Sequence, residues 1–115
     1  MNKRHFTLTL TASPFSTDQH ERAQRFVQAA AVQGHQVGQV FFYQDAVLAA
    51  QPNLPVAKAW QDIAATANCT LLVCVSAAER RGLPTVTAPE SAWEIVGLGD
   101  WVAGLNADHA LHFGG

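Results

Sequence analysis

The amino-acid sequence predicts an open α/β sheet with helices on both faces, built as a single domain of 115 residues. Strand-like and helix-like segments alternate along the chain, and the segment LLVCV at residues 71–75 is apolar without interruption. Such a run between two helices is typical of a central strand of a parallel sheet, buried on both faces. We therefore expect a three-layer α/β/α fold with a mostly parallel sheet of four or five strands.

The spacing of apolar residues assigns the elements in order. The segment FTLTLTA is rich in threonine and aromatic or branched residues, as strands are, whereas the first predicted helix repeats its apolar residues at i, i+3 and i+4. The predicted elements are a strand at 6–12, a helix at 18–33, a strand at 37–43, a connection with at most a short helical turn at 44–53, a helix at 56–67, a strand at 70–75, a short helix from 77, a loop at 85–90, an optional fifth strand near 92–96, a helix at 99–106 and a last strand at 109–113.

Local signals place the ends of two helices. Thr17 or Asp18 is positioned to cap the first helix, and Gly34 fits the residue just beyond its end. Ser76 and Glu79 have the spacing of a capping box, which predicts that the short helix starts at residue 77.

The charge balance excludes several classes of protein. Lys and Arg number 7 against 9 Asp and Glu, a net charge of −2, without the basic stripe of a dedicated nucleic-acid binder. No apolar run approaches the roughly 18 residues that span a bilayer, and threonines interrupt the amino-terminal segment where a secretion signal would be apolar. We expect a cytoplasmic protein with reduced cysteines. Charged residues make up 14%, where soluble domains carry about 25%, which favours surface hidden in an oligomer.

Cys74 is the candidate nucleophile. It lies at the predicted carboxyl end of the third strand, where open α/β sheets place their sites, and a helix follows it, whose amino end lowers the pKa of a thiol. Cys69 lies at the other end of that strand, about 16 Å away at about 3.3 Å per residue, too far for a disulfide. Arg80 and Arg81 are candidates for binding substrate. The alternatives are an inert core cysteine and a solvated arginine pair.

The remaining polar residues predict no further site. His109 and His112 lie three apart on a strand and therefore point to opposite faces, which makes a poor metal pair. His20 and His35 flank the first helix, and we expect both to be solvated. The spacing of the two cysteines matches no zinc pattern, and the GxG at residues 97–99 does not follow the first strand. The sequence therefore predicts neither a metal nor an organic cofactor.

Four stretches of the chain resemble the DsrE-like sulfur-relay proteins, and within them the TusD group. They are Gly34-His35, the run VFFYQDAV at 40–47, the run LVCVSAAERRG at 72–82, and 97–114 with its GLG start and HFG end. The third is the most specific, since it is close to the family pattern [IV]-C-V-A-A-A-x-R-R-G. The chain differs from that family at position 46, where the family has glycine and this chain has Ala46. Two of its connections are also shorter than in the family, namely the one between the second strand and the next helix and the one at residues 83–93.

The resemblance implies a sulfurtransferase that holds sulfur as a persulfide on Cys74. It also implies assembly with TusB-like and TusC-like subunits in a heterohexamer, between an upstream and a downstream sulfur carrier. Such relays serve 2-thiolation of the tRNA wobble uridine without direct contact to nucleic acid or membrane, while relatives serve sulfur oxidation. Two other hypotheses stay open: a non-catalytic assembly subunit with an inert Cys74, and, from fold alone, a small-ligand-binding module.

Overall fold

The computed structural model describes residues 4–15, 18–51, 54–84, 92–103 and 109–114. Its elements, in chain order, are β1 (His5–Leu10), α1 (Gln19–Val32), β2 (Gln36–Phe42), a 3₁₀ helix (Gln44–Ala50), α2 (Pro55–Ala67), β3 (Thr70–Cys74), α3 (Val75–Arg80), β4 (Trp93–Val96), α4 (Leu98–Ala103) and β5 (His109–Phe113). Parts of the predicted elements fall outside the described residues, namely the cap candidate Thr17, the loop 85–90 and the end of the helix at 104–106.

The five strands form one parallel sheet in the order β4-β3-β2-β1-β5. This confirms the predicted α/β class, and the optional fifth strand is present as β4. β3 was predicted to be central; it lies between β2 and β4 and not at a sheet edge, although the middle strand of the five is β2. Val75, the last residue of the run LLVCV, already belongs to α3. The carboxyl ends of β2, β3 and β4 therefore lie side by side at one edge, since neighbouring strands are about 4.8 Å apart.

Two neighbouring phenylalanines of β2 show that helices cover both faces of the sheet. Phe42 meets Trp60 of α2 edge to face, with ring centroids 5.2 Å apart. Phe41 points the opposite way and stacks on Trp101 of α4 at 4.4 Å. Because successive side chains of a strand alternate between faces, α2 and α4 lie on opposite sides of the sheet. The predicted three layers are present.

The start of α3 differs from the sequence prediction. The helix begins at Val75, and Cys74 occupies its N-cap position without a side-chain cap hydrogen bond. The predicted capping box of Ser76 and Glu79 is therefore wrong, because the chain turns directly from strand into helix and Ser76 lies inside the first turn. Gly82, at φ +70°, follows the end of the helix.

The connection after β2 is also more regular than predicted. A seven-residue 3₁₀ helix occupies it, and Ala46, Val47 and Ala49 of that helix are buried. Burial of these small apolar side chains explains why the segment is helical, although its sequence has no strong helical periodicity. At α1, Asp18 stands at the N-cap, but its carboxylate binds Arg22 at 3.1 Å and makes no cap hydrogen bond.

The prediction that His20 and His35 are solvated is wrong for His20. Its imidazole is 3% exposed, because α1 turns it inward between Trp60 and the end of β1. The Trp60 indole N–H donates to His20 Nδ1 at 3.1 Å, so His20 Nε2 carries the proton and donates to the carbonyl of Ala12 at 2.7 Å. His35 is partly buried and accepts a hydrogen bond from the backbone N–H of Arg4.

In the described part of the chain, no helix is long and apolar enough to cross a bilayer.

Candidate functional site around Cys74

A cleft of about 230 Å³ opens at the carboxyl edge of the sheet, over the end of β3. Its walls come from the residues that follow β2, from α3 and from the start of α4. The lining residues are Tyr43, Gln44, Cys74, Ser76, Ala77, Arg80, Arg81 and Leu98. The sequence predicted that Cys74 lies at this edge of the sheet. The structure adds the residues that follow β2 and the start of α4 to the same cleft.

Cys74 forms the floor of the cleft. It is the last residue of β3 and directly precedes α3, so both elements fix its position. Its exposed fraction is 1%. The thiol therefore meets solvent through the cleft alone, and a reacting partner must reach down to it.

Cys69 has a different environment at the opposite end of β3. It precedes the strand, is partly buried, and burial raises the pKa of its thiol to about 11. At neutral pH Cys69 is therefore a protonated thiol, which is neither a nucleophile nor a metal ligand. Both cysteines are free, as their separation along the strand requires. The two thiols thus lie in different environments at the two ends of β3.

The two arginines of the cleft have separate roles. Arg81 donates from Nε and Nη2 to Asp45 Oδ1, at 2.9 and 2.8 Å, and from Nη1 to the carbonyl of Ala77 at 3.0 Å. Arg80 is exposed and makes no hydrogen bond or ion pair with the described residues. Arg80 is therefore available to an anion in the cleft, while the charge of Arg81 is already balanced.

The wall opposite α3 contains residues that sequence reasoning did not single out. Gln44 adopts φ +51°, an uncommon backbone conformation for a residue other than glycine, which turns the chain sharply after β2. Tyr43 stacks on Phe41 with ring centroids 6.0 Å apart, and Leu98 is 43% exposed at the rim. The sequence feature that could have identified these residues is their position after β2 and β4, because the ends of those strands lie beside the end of β3.

Metal binding finds no support among the described residues. Within them, no group of three or more His, Cys, Asp or Glu side chains converges on a point. Two larger clefts are present, one of about 550 Å³ near Arg4 and Phe6 and one of about 490 Å³ between α1 and α2. Neither is lined by a cysteine, so the nucleophile candidate Cys74 and the exposed Arg80 belong to the smaller cleft.

The family model of DsrE/DsrF-like proteins matches residues 4–113. The chain belongs to the DsrE/DsrF-like family. Sulfurtransferase TusD of Yersinia pestis (strain Pestoides F) is 36% identical over 90 residues, which cover 72% of this chain and 69% of that protein. Sulfurtransferase TusD of Yersinia pseudotuberculosis serotype O:3 (strain YPIII) matches with the same values.

A solved structure confirms the fold of this family member. The crystal structure of the YchN protein from E. coli superposes with a TM-score of 0.79 over 98% of this chain and 100% of that one, at 20% identity. The resemblance inferred from the sequence is thereby confirmed, both in family and in its likeness to TusD. The prediction of a sulfurtransferase is confirmed by the 36% identity to curated sulfurtransferases.

Proposed function

We propose that this DsrE/DsrF-like protein carries sulfane sulfur as a persulfide on Cys74 and passes it to a second protein. The observation that carries the proposal is the placement of Cys74 at the floor of a cleft whose wall includes Arg80, an arginine with no hydrogen bond or ion pair to the described residues. Cys69, the other thiol of the chain, has a pKa raised to about 11 by burial and lies at the far end of β3. One cysteine of the two thus has a surrounding suited to the reaction.

The transfer is a thiol exchange in which no net oxidation occurs. The Cys74 thiolate attacks the outer sulfur of a donor persulfide, a new S–S bond forms, and the S–S bond of the donor breaks. The electron pair of that bond leaves with the donor sulfur as a thiolate. The outer sulfur keeps its proton or loses it to water. In the second step an acceptor thiolate attacks the same outer sulfur and regenerates the Cys74 thiolate.

Arg80 is the residue that we assign to the sulfur anion. A persulfide is more acidic than a thiol, so the loaded cysteine carries negative charge at neutral pH. The guanidinium of Arg80 lines the same cleft and has no partner in the described part of the chain, so it can stabilise that charge. Arg81 does not serve in this way, because Asp45 already neutralises it.

The partners and the pathway are part of the same proposal. We place the protein in a cytoplasmic heterohexamer with TusB-like and TusC-like subunits, between an upstream and a downstream sulfur carrier, serving 2-thiolation of the tRNA wobble uridine. The 36% identity to TusD supports this choice over the sulfur-oxidation relay. Deletion of the gene, followed by mass spectrometry of tRNA nucleosides, tests the pathway: 2-thiouridine derivatives are lost if it is right and unchanged if it is wrong.

One observation favours a second candidate, a subunit with an inert Cys74 that serves assembly alone. The thiol is 1% exposed, as inert core cysteines are. The two candidates differ in what a persulfide donor does to the chain, because a carrier gains a sulfur atom and a purely structural subunit does not.

Mass spectrometry after incubation with a persulfide donor decides between them. We expect one added sulfur on the peptide that contains Cys74, and none in Cys74→Ser. Cys69→Ser is the matched control, the same change on the same strand, and should load almost as the wild type does. Sulfur found on Cys69, or retained by Cys74→Ser, would overturn the proposed carrier role.

A further inference from the structure

We propose that Asp45 is a positioning residue of the sulfur-carrying cleft and acts through its ion pair with Arg81. The pair joins the two walls that enclose Cys74, so it holds the cleft narrow and keeps the thiol shielded. This inference rests on the proposed function only where it speaks of sulfur; the shielding of Cys74 can be measured without sulfur.

The geometry of the pair is that of a specific contact rather than a passing surface contact. Two nitrogens of the guanidinium reach one carboxylate oxygen, at 2.9 Å from Nε and 2.8 Å from Nη2. The third nitrogen binds the carbonyl of Ala77 at 3.0 Å, which fixes the arginine against its own helix. The Arg81 side chain is 26% exposed and the Asp45 side chain 59%, so solvent screens the arginine end of the pair less than the carboxylate end.

The pair spans the cleft because its two residues belong to different walls. Asp45 lies in the 3₁₀ helix, next to the cleft residue Gln44, and Arg81 directly follows α3. Ala46, next to Asp45 in the 3₁₀ helix, and Ala78 of α3 are fully buried, and side chains of this size let two helices approach closely. The pair therefore closes the solvent side of a contact whose inner side is already packed.

Two consequences for the site follow from this arrangement. α3 starts at Cys74 and has six residues, so a constraint at its far end limits how far the whole helix can swing away from the thiol. The constraint also occupies Arg81 and leaves Arg80, the neighbouring cation, facing the cleft without a partner in the described chain. Asp45 thus determines both how open the cleft is and which arginine meets an anion there.

Alkylation of the folded chain with iodoacetamide tests the shielding. In Asp45→Asn, which keeps the size of the side chain, the rate at Cys74 should rise by about fivefold, the order expected when a contact of this class is removed from an open–closed equilibrium. Arg81→Gln should give the same rise, and the double variant should give no more than either single variant. Asp45→Glu, which restores the charge, should return most of the protection.

Cys69 supplies the internal reference for this experiment. General loosening of the domain would speed labelling at both cysteines, whereas loss of the pair should change Cys74 alone, since Cys69 lies at the other end of β3. Asp18→Asn is the matched control: it breaks the exposed ion pair to Arg22 on α1, which lies outside the cleft, and should change neither rate. A parallel rise at both cysteines in Asp45→Asn, or an unchanged rate at Cys74, overturns the inference.

The sulfur assay separates this inference from the proposed function. If Cys74 takes up no sulfur at all but labels faster in Asp45→Asn, the carrier role fails and the positioning role stands. If Cys74 loads normally and its labelling is unchanged, the positioning role fails and the carrier role stands. When both roles hold, free thiols should remove the persulfide sulfur from Asp45→Asn faster than from the wild type. The factor should be about the same as the factor by which alkylation of Cys74 is accelerated.

Discussion

His20 occupies a site that leaves no room for a second proton. Its Nδ1 accepts from the Trp60 indole, which is a donor only, and its Nε2–H donates to the carbonyl of Ala12. Protonation at Nδ1 would place two donors face to face inside the core, between the rings of Trp60 and Phe42. Burial accordingly lowers the pKa of this imidazole below its usual 6.5.

A dependence of stability on pH follows from this lowered pKa. Below about pH 6.5 the His20 imidazole binds a proton in the unfolded chain but not in the folded chain until the pH falls to its lowered pKa. The free energy of unfolding therefore falls as the pH drops, by at most about 1.4 kcal/mol per pH unit. Urea denaturation at pH 7.5 and pH 5 should show this loss in the wild type.

Two variants isolate the contribution of His20. His20→Gln keeps an acceptor and a donor but has no titrating proton, so its stability should vary less between the two pH values. His112→Gln, a control at an exposed histidine, should keep the wild-type dependence. Equal pH dependence in the wild type and His20→Gln would contradict the assignment of the effect to this imidazole.

Cys69 yields a second prediction at the scale of the single residue. Because burial raises its pKa to about 11, the thiolate fraction grows about tenfold per pH unit well below that value. In Cys74→Ser, alkylation of Cys69 should therefore be slow at neutral pH and keep rising by this factor through pH 10. A rate that levels off near pH 9 would show a thiol with an ordinary pKa.

Among the elements, α1 and α3 both end on a glycine in the left-handed region. Gly34 has φ +82° and Gly82 has φ +70°, and in each case a Cβ would meet no atom within 4 Å. The cost of a side chain there is therefore one of backbone conformation and not of space. Gly38 of β2 is likewise free of neighbours but has no positive φ.

The pair Gly34 and Gly38 makes a matched comparison. Gly34→Ala should lower the free energy of unfolding by about 1 kcal/mol, because alanine resists the left-handed conformation. Gly38→Ala should be neutral or stabilising by up to about 1 kcal/mol, since alanine suits a strand better than glycine. Chemical denaturation of both variants checks the sign; a destabilised Gly38→Ala together with an unchanged Gly34→Ala would contradict it.

The sequence predicted elements with strong local patterns and missed contacts made at long range. Periodicity placed four strands and the larger helices and left β4 as an optional fifth strand, since burial on one or two faces leaves a period in the sequence. The start of α3 was misplaced because Ser76 and Glu79 satisfy a local rule that the turn at Cys74 overrides. The burial of His20 depends on Trp60, 40 residues away, and no local pattern records such a distance.

The candidate site could also be predicted only in part, because some of its features are local in the sequence and others depend on long-range contacts. Cys74 stood out because strand ends and helix starts are local features, and the strand-end rule of α/β sheets then placed it at an edge. The different roles of Arg80 and Arg81 were beyond sequence reasoning, because they depend on Asp45, 36 residues earlier in the chain. Burial of the Cys74 thiol likewise depends on walls contributed by three separate strand ends.

At the scale of the whole molecule, the chain carries little charge for its surface. Charged residues make up 14% of the sequence, and Phe15, Val32 and Leu98 are large apolar side chains that remain exposed. We predict that the purified chain is not a lone monomer, because association would cover such surface. Light scattering and sedimentation at micromolar concentration check this; a strictly monomeric species, even with TusB-like and TusC-like partners present, would contradict it.

The direct junction of β3 and α3 at Cys74 also bears on which of two proteins must move when they exchange sulfur. β3 ends and α3 begins with no residue between them, so both elements hold the backbone of Cys74 and the residue does not lie on a flexible loop. In the proposed relay, the reacting cysteine of the partner protein must therefore extend into the cleft to meet Cys74. We expect the cysteines that exchange with Cys74 to lie on flexible, narrow segments, whose length determines how far apart the two bodies stand at the moment of transfer.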